Sequence, residues 1–219
     1  LENLKMNKLK LVARGDVDTL KAGFAAASPD VISGYMVLHP VRKNVPMFGK
    51  VYWSKYHWPV APEQELYSEL GEVNLDGDIK KLNINVDTDL SGKQIPQGYY
   101  QAKMHTDLKQ LNIEDFVGSL MSGQVELAGL VGWQDGVNWD LNGRLNGINP
   151  KDEVIPASIR EFLPPDMSAK LVTKGSMKNA SDIIATVDFD RYERWDVKLH
   201  QDLAKQNANN EKIAQPWQV

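Results

Sequence analysis

Hydrophobic and polar residues alternate with period two along most of the chain, and long helical periodicity is almost absent. Residues 8–26 place Leu9, Leu11, Ala13 and Val17 on odd positions, then Leu20, Ala22, Phe24 and Ala26 on even ones. Residues 73–86 do the same, with Val73, Leu75 and Ile79 odd, then Leu82, Ile84 and Val86 even. Residues facing each other across an antiparallel pair share a face, so such a parity switch predicts a tight reversal. Val17 then opposes Leu20, Ile79 opposes Leu82, and Leu108 opposes Leu111. The same registers bring Ala13 opposite Phe24 and Leu75 opposite Val86.

The segment Val125–Leu145, VELAGLVGWQDGVNWDLNGRL, keeps odd parity on both sides of a Gln-Asp-Gly break. A loop with an odd number of residues is required, and Gln134-Asp135-Gly136 supplies a three-residue turn with Gly136 as a bulge. Trp133 then opposes Val137, and Val131 opposes Trp139. The even positions carry Glu126, Gln134, Asn138, Asp140, Asn142 and Arg144, so the hairpin has one wet and one oily face. Residues 40–47 and 57–65 read as proline-rich connections. Residues 149–166 hold at most a helical turn near 157–162 between prolines. Strands resume at 169–177 and 183–199, and 201–215 is a polar, loose tail.

Composition narrows the classes. Hydrophobic residues at 42% and charged residues at 25% are ordinary for a folded protein able to bury a core. A net charge of −4 gives no footprint for nucleic acid. No run of 18 apolar residues exists to span a bilayer as a helix. The opening LENLKMNKLKLVARGD lacks the apolar run of a signal peptide, so any targeting segment of an exported parent lies outside this sequence. The absence of cysteine excludes disulfides and thiolate chemistry.

No constellation points to catalysis. His39, His57, His105 and His200 are dispersed without metal-ligand spacing, and phosphate-binding or nucleophile-elbow motifs are missing. The acidic runs at 75–78, 87–89 and 188–190 alternate with residues pointing the other way, which describes the wet side of a half-buried strand better than paired catalytic carboxylates. Six tryptophans read either as core filling or as the lining of an apolar trough. Pattern alone does not separate an open trough from a closed β-sandwich with tryptophans as core or sugar platforms, because both show one-sided alternation.

The order of features from Met47 to Pro150 adds a resemblance. It comprises Trp53 with Trp58-Pro59, the run Gly71-x-Val73-x-Leu75-x-Gly77, and Ile95-Pro96-x-Gly98 ahead of a strand. It ends on Gly123, Val125, Gly129, Trp133, Trp139, Leu141 and the NGINP of 146–150. This resembles a repeat unit of the TamB family, the inner-membrane subunit of the translocation and assembly module, related to the AsmA-like proteins, in an internal or near-C-terminal segment. Residues 1–46 resemble the end of a preceding β unit, 47–150 a complete unit, 151–167 a connecting loop, and 168–219 the start of a following unit with a polar tail.

What the resemblance implies is an all-β fold with little helix, an extended and mostly antiparallel sheet curled into a U-shaped apolar trough, or β-taco. The expected groove residues are Leu9, Leu11, Phe24, Val73, Leu75, Ile79, Leu82, Ile84, Val86, Val125, Leu127, Val131, Trp133, Val137, Trp139, Leu141, Leu145, Val187 and Phe189. The implied function is non-enzymatic: a periplasmic part of an inner-membrane-anchored, envelope-spanning bridge in a Gram-negative bacterium, carrying phospholipid acyl chains between the membranes. An outer-membrane barrel partner, TamA, would bind another region of the parent protein. The alternative is a scaffold or chaperone for autotransporters and unfolded outer-membrane β-proteins. Neither reading calls for a cofactor, a metal or nucleic acid.

Overall fold

The computed structural model describes residues 8–27, 31–61, 64–92, 95–134, 136–149, 167–176, 181–189, 193–201, 203–206 and 212–214. For 8, 58–61, 64–65, 181–183, 185, 187–189, 193–195, 201, 203–206 and 212–214 only the backbone is described. The alternating segments form fifteen strands: β1 (Lys8–Gly15), β2 (Leu20–Ala27), β3 (Val31–Leu38), β4 (Met47–Ala61), β5 (Gln64–Asp78), β6 (Lys81–Gly92), β7 (Gly98–Thr106), β8 (Gln110–Leu120), β9 (Gly123–Gly132), β10 (Asn138–Ile148), β11 (Met167–Ser176), β12 (Ser181–Phe189), β13 (Glu193–Gln201), β14 (Leu203–Gln206) and β15 (Lys212–Ala214). No helix occurs among the described residues.

Strands β1 to β13 form one antiparallel sheet in strict sequence order, a meander whose first and last strands do not pair. Twelve inter-strand steps of about 4.8 Å give a sheet roughly 58 Å wide. The unbroken order from β1 to β13 leaves no second sheet of comparable size among the described residues. The closed two-sheet sandwich is therefore not formed among the described residues, and the fold is an all-β open sheet. The polar tail, expected as loose chain, pairs β14 with β15 in a separate two-stranded sheet.

Three predicted registers need correction. Leu11, not Ala13, faces Phe24. Leu75 faces Ile84 rather than Val86. Leu111 faces Thr106 rather than Leu108. Each is offset by two residues because Val17, Ile79 and Leu108 sit in the turns and not in the strands. The cause is a shared cassette, Gly15-Asp16-Val17-x-x-Leu20, Gly77-Asp78-Ile79-x-x-Leu82 and Thr106-Asp107-Leu108-x-x-Leu111. Asp16 Oδ1 accepts from the backbone N–H of Asp18 and Thr19, both at 2.9 Å. Asp78 Oδ1 accepts likewise from Lys80 at 2.8 Å and Lys81 at 3.1 Å, and Asp107 Oδ1 from Lys109 and Gln110 at 3.0 Å. A carboxylate that satisfies two turn donors starts the reversal at itself, one residue before the apolar position.

The residue ahead of each Asp is equally constrained. Gly15 and Gly77 have φ of +144° and +138°, and a Cβ there would lie 2.0 and 2.1 Å from the carbonyl oxygens of Thr19 and Lys81. In the third cassette Thr106 replaces Gly, and its hydroxyl donates at 2.7 Å to the corresponding carbonyl, that of Gln110.

Of residues 57–65, expected as a connection, 57–61 and 64–65 instead continue the β4–β5 ladder, with Trp58 facing Leu66 and Pro59 facing Glu65. Among the described residues β4 has no β3 partner beyond Ser54, so a residue without an N–H costs nothing on that side. The expected helical turn at 157–162 falls outside the described residues.

Candidate functional site

The register ladders decide which side chains share a face. Tracing pairs from β1 to β11, one face receives Leu9, Leu11, Phe24, Ile32, Met36, Val51 and Trp53. It continues through Val73, Leu75, Leu82, Ile84, Val86, Tyr100, Ala102 and Met104. It then takes Leu111, Ile113, Phe116, Leu120, Val125, Leu127, Val131, Trp139, Leu141, Leu145 and Leu171. Along the rows that continue from strand to strand, outside the bulges of β5 and β8, this face carries no Asp, Glu, Lys, Arg or His among the described residues. The opposite face carries Lys10, Lys21, Glu72, Asp87, Lys103, Glu126, Asp140, Arg144 and Lys174.

Two bulges preserve that division. In β8, one extra residue at Glu114–Asp115 shifts the apolar set from Leu111 and Ile113 to Phe116 and Leu120. Glu114 leaves the apolar side and bonds His105 Nδ1 at 2.8 Å. In β5, an extra residue between Tyr67 and Gly71 leaves two backbone donors, which Asp89 accepts from Leu70 at 2.7 Å and Glu69 at 3.2 Å. Beside it, the Trp53 indole N–H donates to Ser68 Oγ at 2.7 Å, and Ser68 Oγ lies 3.0 Å from Thr88 Oγ1. Gly71 lies under that indole, since a Cβ there would come within 2.2 Å of Trp53 Cζ2. The acidic pattern at 87–89, expected only as the wet side of a strand, thus also includes a residue that closes a bulge.

The apolar face is only partly covered. A cleft of ≈ 310 Å³ runs among Ile32, Val51, Trp53, Tyr56, Leu66, Ser68, Val73 and Leu90. Packing closes only toward one end of the strands, where Tyr100, Leu120 and Ile148 are buried against Leu90, Phe116, Val125, Leu145 and Met167. Elsewhere most of this face is half-buried, and at the β1 edge Leu11 is 70% exposed and Leu9 52%.

The expected groove residues fall as follows. Leu9, Leu11, Phe24, Val73, Leu75, Leu82, Ile84, Val86, Val125, Leu127, Val131, Trp139, Leu141 and Leu145 share the apolar face. Ile79 does not belong to it, because it occupies the tip of the β5–β6 turn. Trp133 and Val137 lie beyond the last ladder pair, Gly132 with Asn138, so they do not oppose each other within the sheet. Trp133 instead staples the β7–β8 turn: its backbone N–H donates to Lys109 O at 3.0 Å and its indole N–H to Leu108 O at 2.9 Å. The backbones of Val187 and Phe189 pair with Trp195 and Glu193, and their side chains lie outside the described residues. Tyr100, Leu120 and Ile148 were missed; the parity change across Glu114–Asp115 could have revealed Leu120.

The polar side shows ordinary surface electrostatics. Lys50 pairs with Glu72 at 2.6 Å and Lys174 with Asp140 at 2.8 Å. The Lys50 ammonium, with help from Asn74, holds the Glu72 carboxyl below its usual range. Turn backbone N–H groups do the same for Asp16, Asp78 and Asp107. Among the described residues, no group of three acidic or histidine side chains is placed to hold a metal ion.

Among protein families, the model described as TamB, N-terminal domain, matches residues 1–200. No solved structure matches the chain. That description names an N-terminal domain, so it lends nothing to an internal or near-C-terminal placement. A match over 200 of the 219 residues, on an open β-meander with one uncharged face, shows that the chain belongs to the TamB family.

Proposed function

We propose that this chain is a non-enzymatic segment of an envelope-spanning bridge, whose apolar face carries phospholipid acyl chains between the inner and outer membranes. Family membership implies a Gram-negative envelope protein. The periplasmic setting, the inner-membrane anchor and the TamA partner belong to this proposal.

The observation that carries it is the uncharged face that continues over eleven strands, about 48 Å of sheet, and closes into a core only at one end. A sheet face of this kind in a folded protein calls for something apolar to cover it. Acyl chains need only continuity: each 100 Å² removed from water contributes about 2.5 kcal/mol, and no oriented polar group is required. The polar atoms near the groove, Trp53 Nε1, Ser68 Oγ and Thr88 Oγ1, satisfy one another and so do not interrupt it.

The test is photo-crosslinking in cells, with a photoreactive amino acid in place of Leu141 and, as control, Asn142, which faces the other way. Lipid adducts at 141 and not at 142 support the reading. Adducts at 141 that are mainly outer-membrane proteins would replace it with the scaffold or chaperone role, and equal adducts at both positions would overturn the facing.

A further inference from the structure

The outer, polar face is not uniformly polar. Strand β3 is apolar on both parities, with Ile32, Met36 and Leu38 toward the groove and Val31, Tyr35 and Val37 outward. Across β1, β3 and β4 the outward side chains of Val12, Tyr35, Phe48 and Tyr52 are 40%, 48%, 44% and 50% exposed. A strand that is apolar on both sides is the mark of burial on both sides, and an exposed aromatic patch marks a contact surface. On one flank of the patch stand Lys10, Arg14 and Lys21; on the other, Glu72, Asp76 and Asp87.

We infer that this patch is a docking surface for a second copy of the same chain, related by a two-fold axis that runs parallel to the strands between β3 and β4. Such an axis keeps each row of the sheet level and reverses strand order, laying β1 on β6, β2 on β5 and β3 on β4 of the other copy. Register then fixes what meets. Lys21, Val37, Phe48 and Asp76 form one continuous row, so Lys21 lands on Asp76 and Val37 on Phe48. Tyr35 and Lys50 are partners in the next row, so each ring meets an ammonium. In the third row Lys10 lands on Asp87. An axis perpendicular to the strands would put the basic flank on itself, and charge excludes it.

Among the described residues, neither Lys21 nor Asp76 takes part in an ion pair within the chain. The contact is isologous, the commonest way for identical chains to associate. Six strands and three rows cover about 30 by 20 Å, side chains included. That is below the roughly 800 Å² per partner of a standard interface, so the dimer is weak, with micromolar dissociation. The inference does not depend on what the groove carries.

The test is sedimentation equilibrium of the chain from about 5 to 200 µM, a range that brackets a weak interface. The expected result is a monomer–dimer equilibrium that Lys21→Glu or Asp76→Lys each weakens at least about tenfold, and that raised salt also weakens. Both sites are exposed on the surface, so neither substitution threatens folding. Mixing the two singly substituted chains, or combining both substitutions in one chain, restores the association. A chain that stays monomeric, association unaffected by either substitution (as strand-edge pairing would give), or a mixture no tighter than the single variants would overturn the inference.

Discussion

Two leucines of the same face separate an open trough from a core. Leu120 is 9% exposed within the closed end of the sheet, whereas Leu11 is 70% exposed on β1. Truncating a buried leucine costs about 2–5 kcal/mol, because transfer and cavity terms add. Taking about 3 kcal/mol for Leu120→Ala, melting falls by roughly 6–12 °C for a chain of this length. Burying a whole leucine side chain is worth about 1.5–3 kcal/mol, and Leu11 has under a third of its surface covered. Leu11→Ala therefore costs about 1 kcal/mol or less. Urea unfolding at constant m-value reads both. If Leu11→Ala costs 2 kcal/mol or more on the scale of about 2–5 kcal/mol for buried leucine, that part of the face is a closed core and the trough argument fails.

On the lipid reading, Leu141→Arg stops transfer by the parent protein while Asn142→Arg leaves it intact; equal transfer by the two would remove the facing. Gly71→Ala drives a methyl into the Trp53 ring and breaks its bond to Ser68, at a cost of about 1–3 kcal/mol in urea unfolding; a neutral result would place the indole elsewhere. Asp78 has its folded pKa lowered from the usual 3.8, chiefly by the N–H groups of Lys80 and Lys81. Its contribution is therefore present above that value and lost as pH falls through the lower folded pKa. Asp78→Asn keeps an acceptor without the charge, so its deficit in urea midpoint is larger at pH near 7 than at pH near 3. A deficit independent of pH would refute the turn assignment.

Period two fixes which residues share a face but not how far a hairpin has slid, since a slip of two residues preserves every facing. This is why nearly all of the apolar face could be read from the chain while three registers came out displaced. Val17, Ile79 and Leu108 look like strand residues to any count of hydrophobic alternation. The aspartate before each, with Gly or Thr before that, carried the turn signal, and it is a matter of hydrogen-bond chemistry rather than hydropathy. Trp133 fell outside the groove for a related reason: its indole N–H had a carbonyl within reach at the turn. Whether the oily face was open or closed was illegible, because a sandwich and a trough present the same alternation. The single open sheet, whose first and last strands do not pair, decides it among the described residues.

That openness also bears on how such a sheet stays folded. With each strand hydrogen-bonded to its neighbours in sequence order and the buried cluster confined to one end of β6 to β11, stability accumulates largely ladder by ladder, as in repeat proteins, rather than from one core that all strands share. A closed core sets an upper size, because adding strands eventually leaves them nothing to cover. An open meander has no such limit, and each added hairpin needs only a turn that fixes its register and a face that stays apolar. The Asp cassettes meet the first requirement, and the bulges of β5 and β8 meet the second by returning the apolar set to the same side after each irregularity. A domain under selection for a compact core would bury Leu9 and Leu11. Here they remain exposed while charges are kept off the continuous rows from β1 to β11, the combination that the proposed acyl-chain groove requires.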